Sequence, residues 1–130
     1  MTTPDPRGRG YGRPFVAVVC SVPLLAEAVS AALDFADVRT FAADRGDVAG
    51  LLRSVQPDAV VVDSEDAAVE AANVAKEREV PVLHLAARSD ELRLFREGAW
   101  ERVENDDGPT PEALRNAVAG ALFARGGVGR

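Results

Sequence analysis

The stretch Pro57-Asp58-Ala59-Val60-Val61-Val62-Asp63-Ser64-Glu65 constrains the fold more than any other part of this 130-residue chain. Four apolar residues, three of them β-branched, stand between two aspartates with turn chemistry at each end. A run this short with no polar alternation reads as a strand buried on both faces. Open α/β sheets place their sites just beyond the carboxyl ends of such strands, so Asp63 is expected at the mouth of the fold.

The segments on either side fit the same architecture. Phe15-Val16-Ala17-Val18-Val19 is a β-branched first strand leading through Cys20-Ser21 into a helix over residues 22–33. Ser21 is its expected N-cap and Pro23 falls in its first turn, where a missing N–H costs little. Leu25, Val29, Ala32 and Leu33 recur at helical spacing, and residues 38–42 alternate as a less buried second strand would. Gly46-Asp47 opens a second helix with Val48, Leu51, Leu52 and Val55 on one stripe, ended by the Pro57-Asp58 turn.

After the Asp63 strand, residues 66–79 read as a third helix, Ala-rich on one side, and residues 80–85 as an apolar fourth strand. Ser89-Asp90-Glu91 suits the cap of a short fourth helix with Leu92 and Phe95 inward and Gly98 as its stop. Residues 99–103, of mixed polarity, suit a fifth strand at a sheet edge, and Thr110-Pro111-Glu112 starts a last helix to about Ala124. The sum is a doubly wound α/β domain of (βα)5 type, a parallel sheet with helices on both faces and right-handed crossovers.

Length fits one domain over residues 15–124. Residues 1–14, rich in Pro, Gly and Arg, are expected to be a flexible arm, and residues 125–130 a frayed tail. No apolar run approaches the ~20 residues of a membrane span, and the start of the chain lacks a secretion signal, which together predict a soluble cytoplasmic protein. The single cysteine, Cys20, excludes an internal disulfide framework and a zinc thiolate cluster. Net charge is −6; residues 1–14 and 125–130 contribute +2 each, so the body carries −10. An acidic body argues against nucleic acid as the main partner, because phosphate contacts need a basic face.

In order and spacing, these units resemble the receiver domain of two-component response regulators. Pro57-Asp58-Ala59-Val60-Val61-Val62-Asp63 is similar to the receiver's third strand with its phospho-accepting aspartate, Pro81-Val82-Leu83-His84-Leu85-Ala86-Ala87 to its fourth strand, and Gly98-Ala99 to the small pair before its fifth. The resemblance covers residues 15–123 and implies a flavodoxin-like sheet of order 2-1-3-4-5. It also implies a set of companions for the aspartate. Active receivers hold Mg²⁺ with an acidic pair after strand one, where this chain has Cys20 and Ser21, which lack the hard anionic oxygens Mg²⁺ prefers. The hydroxyl expected after strand four is replaced by Ala86, the lysine after strand five by Asn105, and the aromatic switch residue by Arg102. Asp63 alone remains. With Glu65 and Asp66 beside it and no cation, accepting a phosphoryl group there is electrostatically uphill.

The resemblance therefore implies a degenerate receiver, or pseudo-receiver, with no catalytic residue, no metal and no cofactor. It would act by protein–protein contact through its fourth helix, fifth strand and fifth helix, with an unidentified protein or as a homodimer. Trp100, Phe95 and Arg102 are the candidate contact residues, since a Trp on a mixed-polarity edge strand suits an interface anchor as well as a core. Two alternatives remain: a still phosphorylatable receiver using Asp63, and a phosphocarrier using Cys20. Cys20 stands between a buried strand and a helix, an arrangement that loosely resembles the phosphocysteine site of the sugar phosphotransferase IIB family. However, Val22-Pro23-Leu24-Leu25 replaces the Gly- and Ser-rich loop that would wrap a phosphate, so a buried, inert thiol is expected. His84, inside an apolar strand with no second histidine in the chain, reads as a core or sheet-face residue.

Overall fold

The computed structural model describes residues 14–42, 47–86, 91–96, 98–103 and 110–128. In chain order the elements are β1 (Phe15–Cys20), α1 (Pro23–Ala32), β2 (Asp37–Ala42), α2 (Val48–Val55), β3 (Ala59–Val62), α3 (Glu65–Arg78), β4 (Val82–Ala86), β5 (Glu91–Arg96), β6 (Ala99–Arg102) and α4 (Pro111–Val128). They form an α/β fold around one six-stranded mixed sheet of order β2-β1-β3-β4-β5-β6.

The first four strands are parallel, and β1 and β3 lie inside the sheet with every residue buried. Alternate side chains divide the core into two layers. Val16, Val18, Val61, Leu83 and Leu85 meet Val29 of α1 and Leu114 and Val118 of α4 on one face. Ala17, Val19, Val60, Val62 and Val82 meet Val48 and Leu52 of α2 and the Ala67, Ala68, Ala71, Ala72 and Ala75 row of α3 on the other. The alanines let α3 lie close against the sheet and α2. Residues Asp47 and Ser64 cap α2 and α3 by accepting from the backbone N–H of Gly50 at 3.0 Å and of Ala67 at 3.2 Å.

Beyond β4 the chain departs from the (βα)5 expectation. Residues 91–96 form β5, antiparallel to β4, and a hairpin leads into β6, antiparallel to β5; among the described residues neither the expected fourth helix nor a parallel fifth strand forms. Leu92 and Phe95 are spaced as a helical stripe, but Leu92 and Leu94 are spaced as one strand face, and six residues are too few to settle a period. Pairing with β4 decides it: Leu92 and Leu94 enter the α1/α4 layer while Phe95 enters the α2/α3 layer. Gly98, expected as a helix stop, sits instead in the two-residue connection between Arg96 and Ala99, at φ 83°. Glycine adopts this left-handed backbone without steric cost.

Two helix ends also differ. The N-cap of α1 is Val22 rather than Ser21, and it supplies no side-chain cap. The backbone of α4 stays helical to Val128 rather than stopping near Ala124, because glycines lower helix propensity without removing the N–H that propagates the ladder. Of the expected arm, residues 1–13 lie outside the described residues. Among the described residues no helix is long and apolar enough to cross a membrane.

Glycine substitutions separate backbone effects from packing, since neither Gly98 nor Gly120 has a heavy atom within 4 Å of the position a Cβ would take. Gly98→Ala is expected to destabilise by about 1–2 kcal/mol through the left-handed backbone alone. In contrast, Gly120→Ala, in the middle of α4, is expected to stabilise by roughly 0.5–1 kcal/mol, both read from urea unfolding midpoints.

Candidate functional site

The two aspartates bracketing β3 both reach across to β1, one at each end. At the amino end, Asp58 Oδ2 accepts the backbone N–H of Phe15 at 2.8 Å, and the Asp58 N–H returns a bond to the Phe15 carbonyl at 2.7 Å. At the carboxyl end, the Ser21 N–H donates to the two Asp63 oxygens at 2.9 and 3.0 Å, and the Val22 N–H to Oδ2 at 3.2 Å. The Ser21 hydroxyl lies 3.2 Å from both oxygens and donates to either.

This geometry explains why α1 manages without a cap or a first-turn acid of its own. A carboxylate from a neighbouring strand meets the unsatisfied N–H groups and partial positive charge at the helix start. Ser64 caps the turn that follows β3, and Asp63 caps the β1–α1 turn across the sheet. Both its oxygens are engaged by protein donors.

Cys20, the last residue of β1, is 5% exposed. Burial, and then the negative charge of Asp63, pushes its thiol up to about 12, so it is held as the thiol. Ala86 ends β4. Asn105 lies outside the described residues. Among the described residues no group of three or more His, Cys, Asp and Glu side chains is placed to hold a metal.

A second locus lies on the hairpin. His84, buried in β4, has its ring edge-on to Trp100 at 6.1 Å between centroids, and Phe95 meets the same indole at 5.1 Å. Burial is the main cause lowering the His84 pKa; Arg93 adds to it, while Glu65 and Asp63 oppose. The imidazole is therefore held neutral. Strand register puts two rows on this face: Val82, Phe95 and Trp100, then His84, Arg93 and Arg102. Phe95 is 4% exposed and belongs to the core, whereas Trp100 is 38% exposed and Arg102 lies open on the edge strand. The structure thus brings Phe95, Trp100 and Arg102 onto one face, away from the cluster of Asp63, Cys20 and Ser21 at the ends of β1 and β3.

Sequence reasoning missed Asp58 and Arg93. The signal for Asp58 was the symmetry of two acids around one buried strand. Arg93 becomes significant only once its strand partner is known to be Arg102. The chain matches no protein-family model, no curated protein and no solved structure.

Asp63→Ala is expected to lower stability by about 2 kcal/mol, the upper range for loss of a helix N-cap, and Asp63→Asn to recover at least half of that, since Asn caps as well as Asp. A neutral Asp63→Ala in urea melts would show that the clamp has no structural weight. At pH 8, alkylation of native Cys20 should run about a thousandfold slower than that of an unfolded thiol, in proportion to its thiolate. Because the folded thiol's pKa is raised, the associated stability is intact below pH 9.0 and lost as pH rises through about 12. That alkaline slope should vanish in Cys20→Ala.

Proposed function

We propose that this chain is a receiver-like signalling module that works without phosphorylation, by contact with another protein. One observation carries the reading: the single acid in the acceptor position, Asp63, has both carboxylate oxygens engaged by Ser21 and Val22. To accept a phosphoryl group it must release the start of α1, with Cys20 and Ser21 in place of metal-binding acids beside it. The parallel order β2-β1-β3-β4, with an aspartate leaving β3, is in keeping with a receiver of (βα)5 type and strand order 2-1-3-4-5. On this reading, the β5–β6 hairpin replaces that fold's fourth helix and fifth strand.

Output then falls to the hairpin, where Trp100 offers a large, partly exposed aromatic on a rigid strand beside Arg102. Trp and Arg are the residues that most often carry binding energy at interfaces. The partner is a protein, or a second copy of the chain, in the cytoplasm. The Cys20 phosphocarrier is disfavoured because its thiol is held protonated.

Incubation with acetyl phosphate and Mg²⁺, followed by intact-mass measurement, is expected to leave the chain unmodified. A phosphoryl adduct lost in Asp63→Asn would restore the active receiver, and one lost in Cys20→Ala would restore the carrier. In cell extract, Trp100→Ala should remove at least tenfold of any protein captured by the immobilised chain, equivalent to a loss above about 1.4 kcal/mol. Asp63→Asn should not.

A further inference from the structure

The sheet has two edges, and they are not finished alike. At β2, Asp37, Val38 and Phe41 are partly covered, whereas every residue of β6 is exposed and nothing among the described residues pairs with its outer side. That outer side is defined by the ladder within the hairpin. The Val103 N–H donates to the Leu92 carbonyl at 2.7 Å, which marks Leu92 and Val103 as a hydrogen-bonded pair in the β5–β6 register. Bonded and non-bonded pairs alternate along an antiparallel ladder, so Leu94 bonds Glu101, while Phe95 and Trp100, like Arg93 and Arg102, face each other without bonding. The backbone N–H and C=O of Trp100 and Arg102 therefore point away from β5, as a template for one more strand. Edges are commonly guarded by proline, lysine or a bulge; β6 has neither residue, and its register with β5 is unbroken.

The spacing of these groups is self-complementary. A second copy related by a two-fold axis runs antiparallel to the first, and only outward-facing residues can meet as bonded pairs. Trp100 opposite Trp100 carries Arg102 onto Gly98, which has left the strand at φ 83°. Arg102 opposite Arg102 sets like charges directly across the axis. Trp100 opposite Arg102 keeps the bonded pairs inside the strand: each Trp100 exchanges both backbone bonds with Arg102 of the other copy, and indole lies beside guanidinium. On the reverse face Glu101 meets Glu101 across the axis, where each carboxylate already holds Arg96 at 3.1 Å.

We infer that β6 is a dimerisation edge: two copies of the chain pair β6 to β6, antiparallel, with Trp100 of each opposite Arg102 of the other. The two-fold axis uses both β6 edges, so association stops at two copies. This inference rests on the reading of the hairpin as the contact surface and names its occupant.

Strands of four residues make a small interface, and the dimer is transient. Sedimentation of the full chain is expected to give single copies at about 5 μM and mostly pairs at about 500 μM. Arg102→Pro removes an outward N–H, where an edge strand accepts proline, and should raise the concentration needed for pairing at least about tenfold at an unchanged urea midpoint. Cysteine placement reads the register without relying on that variant. Glu101→Cys sets two thiols across the axis at a Cα separation of about 4.5 Å, within disulfide reach, and should oxidise to a covalent dimer. Ala99→Cys sets them roughly 14 Å apart along the strands and should not. Buried Cys20 does not compete. Four results overturn the inference: single copies throughout, pairing that a folded Arg102→Pro chain retains in full, equal cross-linking of the two cysteine variants, or growth beyond two copies. If single copies persist while Trp100-dependent capture from extract remains, only the second copy is wrong. A phosphoryl adduct on Asp63 would instead remove the underlying reading.

Discussion

Everything in this fold is hung on the pair of carboxylates that tie β3 to the two ends of β1. Asp58 holds the first residue of β1 and Asp63 the turn that follows its last. Between them the two strands share parallel pairing from Val16↔Ala59 to Val19↔Val62. Parallel pairs bring no tight turn to fix their register, and a one-residue slip would turn each side chain to the wrong layer. Clamps at both ends remove that freedom, because a slipped strand would leave both carboxylates without their N–H donors. The same bond that sets the register at Asp63 also starts α1, so sheet and first helix are positioned by one side chain.

That arrangement has a chemical cost. A carboxylate at the mouth of an α/β sheet is well placed for metal or phosphoryl chemistry only while its oxygens are available. Here three donors from the β1–α1 turn converge on it. Cys20 adds to the effect from below: a thiol held protonated contributes neither charge nor nucleophile. The strand ends have the layout of a site and the bonding of a joint.

How much of this was legible in the sequence depended on the length of each periodic signal. The buried strands at Phe15–Cys20 and Ala59–Val62 and the Ala-rich helix at Glu65–Arg78 announce themselves, because an apolar run or a long one-sided stripe admits one reading. The six residues from Glu91 to Arg96 do not. Their leucines satisfy a period of two and their Leu92–Phe95 pair a period near 3.6, so only the availability of β4 as a pairing partner selects the strand. At the site, the acid at Asp63 was legible but its partner was not. Ser21 looks like an N-cap by composition, and only the parallel pairing of β1 with β3 makes it a donor to Asp63 instead.

The hairpin that replaces the expected helix alters the sheet's surface as well as its strand count. A crossover helix returns the chain over the face it must cover, so each parallel strand added in that way brings its own cover. A hairpin adds two strands and no cover. On one side the deficit is made up by α4, which receives Leu92 and Leu94 into its layer. On the other, Phe95 joins the α2/α3 layer, and Trp100 packs against Phe95 and His84 with its indole partly in water. An edge strand with such a face is normally blunted by charge against aggregation. Arg102, exposed on β6, serves that end. The change in topology past β4 therefore leaves Trp100 partly exposed on the α2/α3 face, beside the exposed Arg102 of the edge strand.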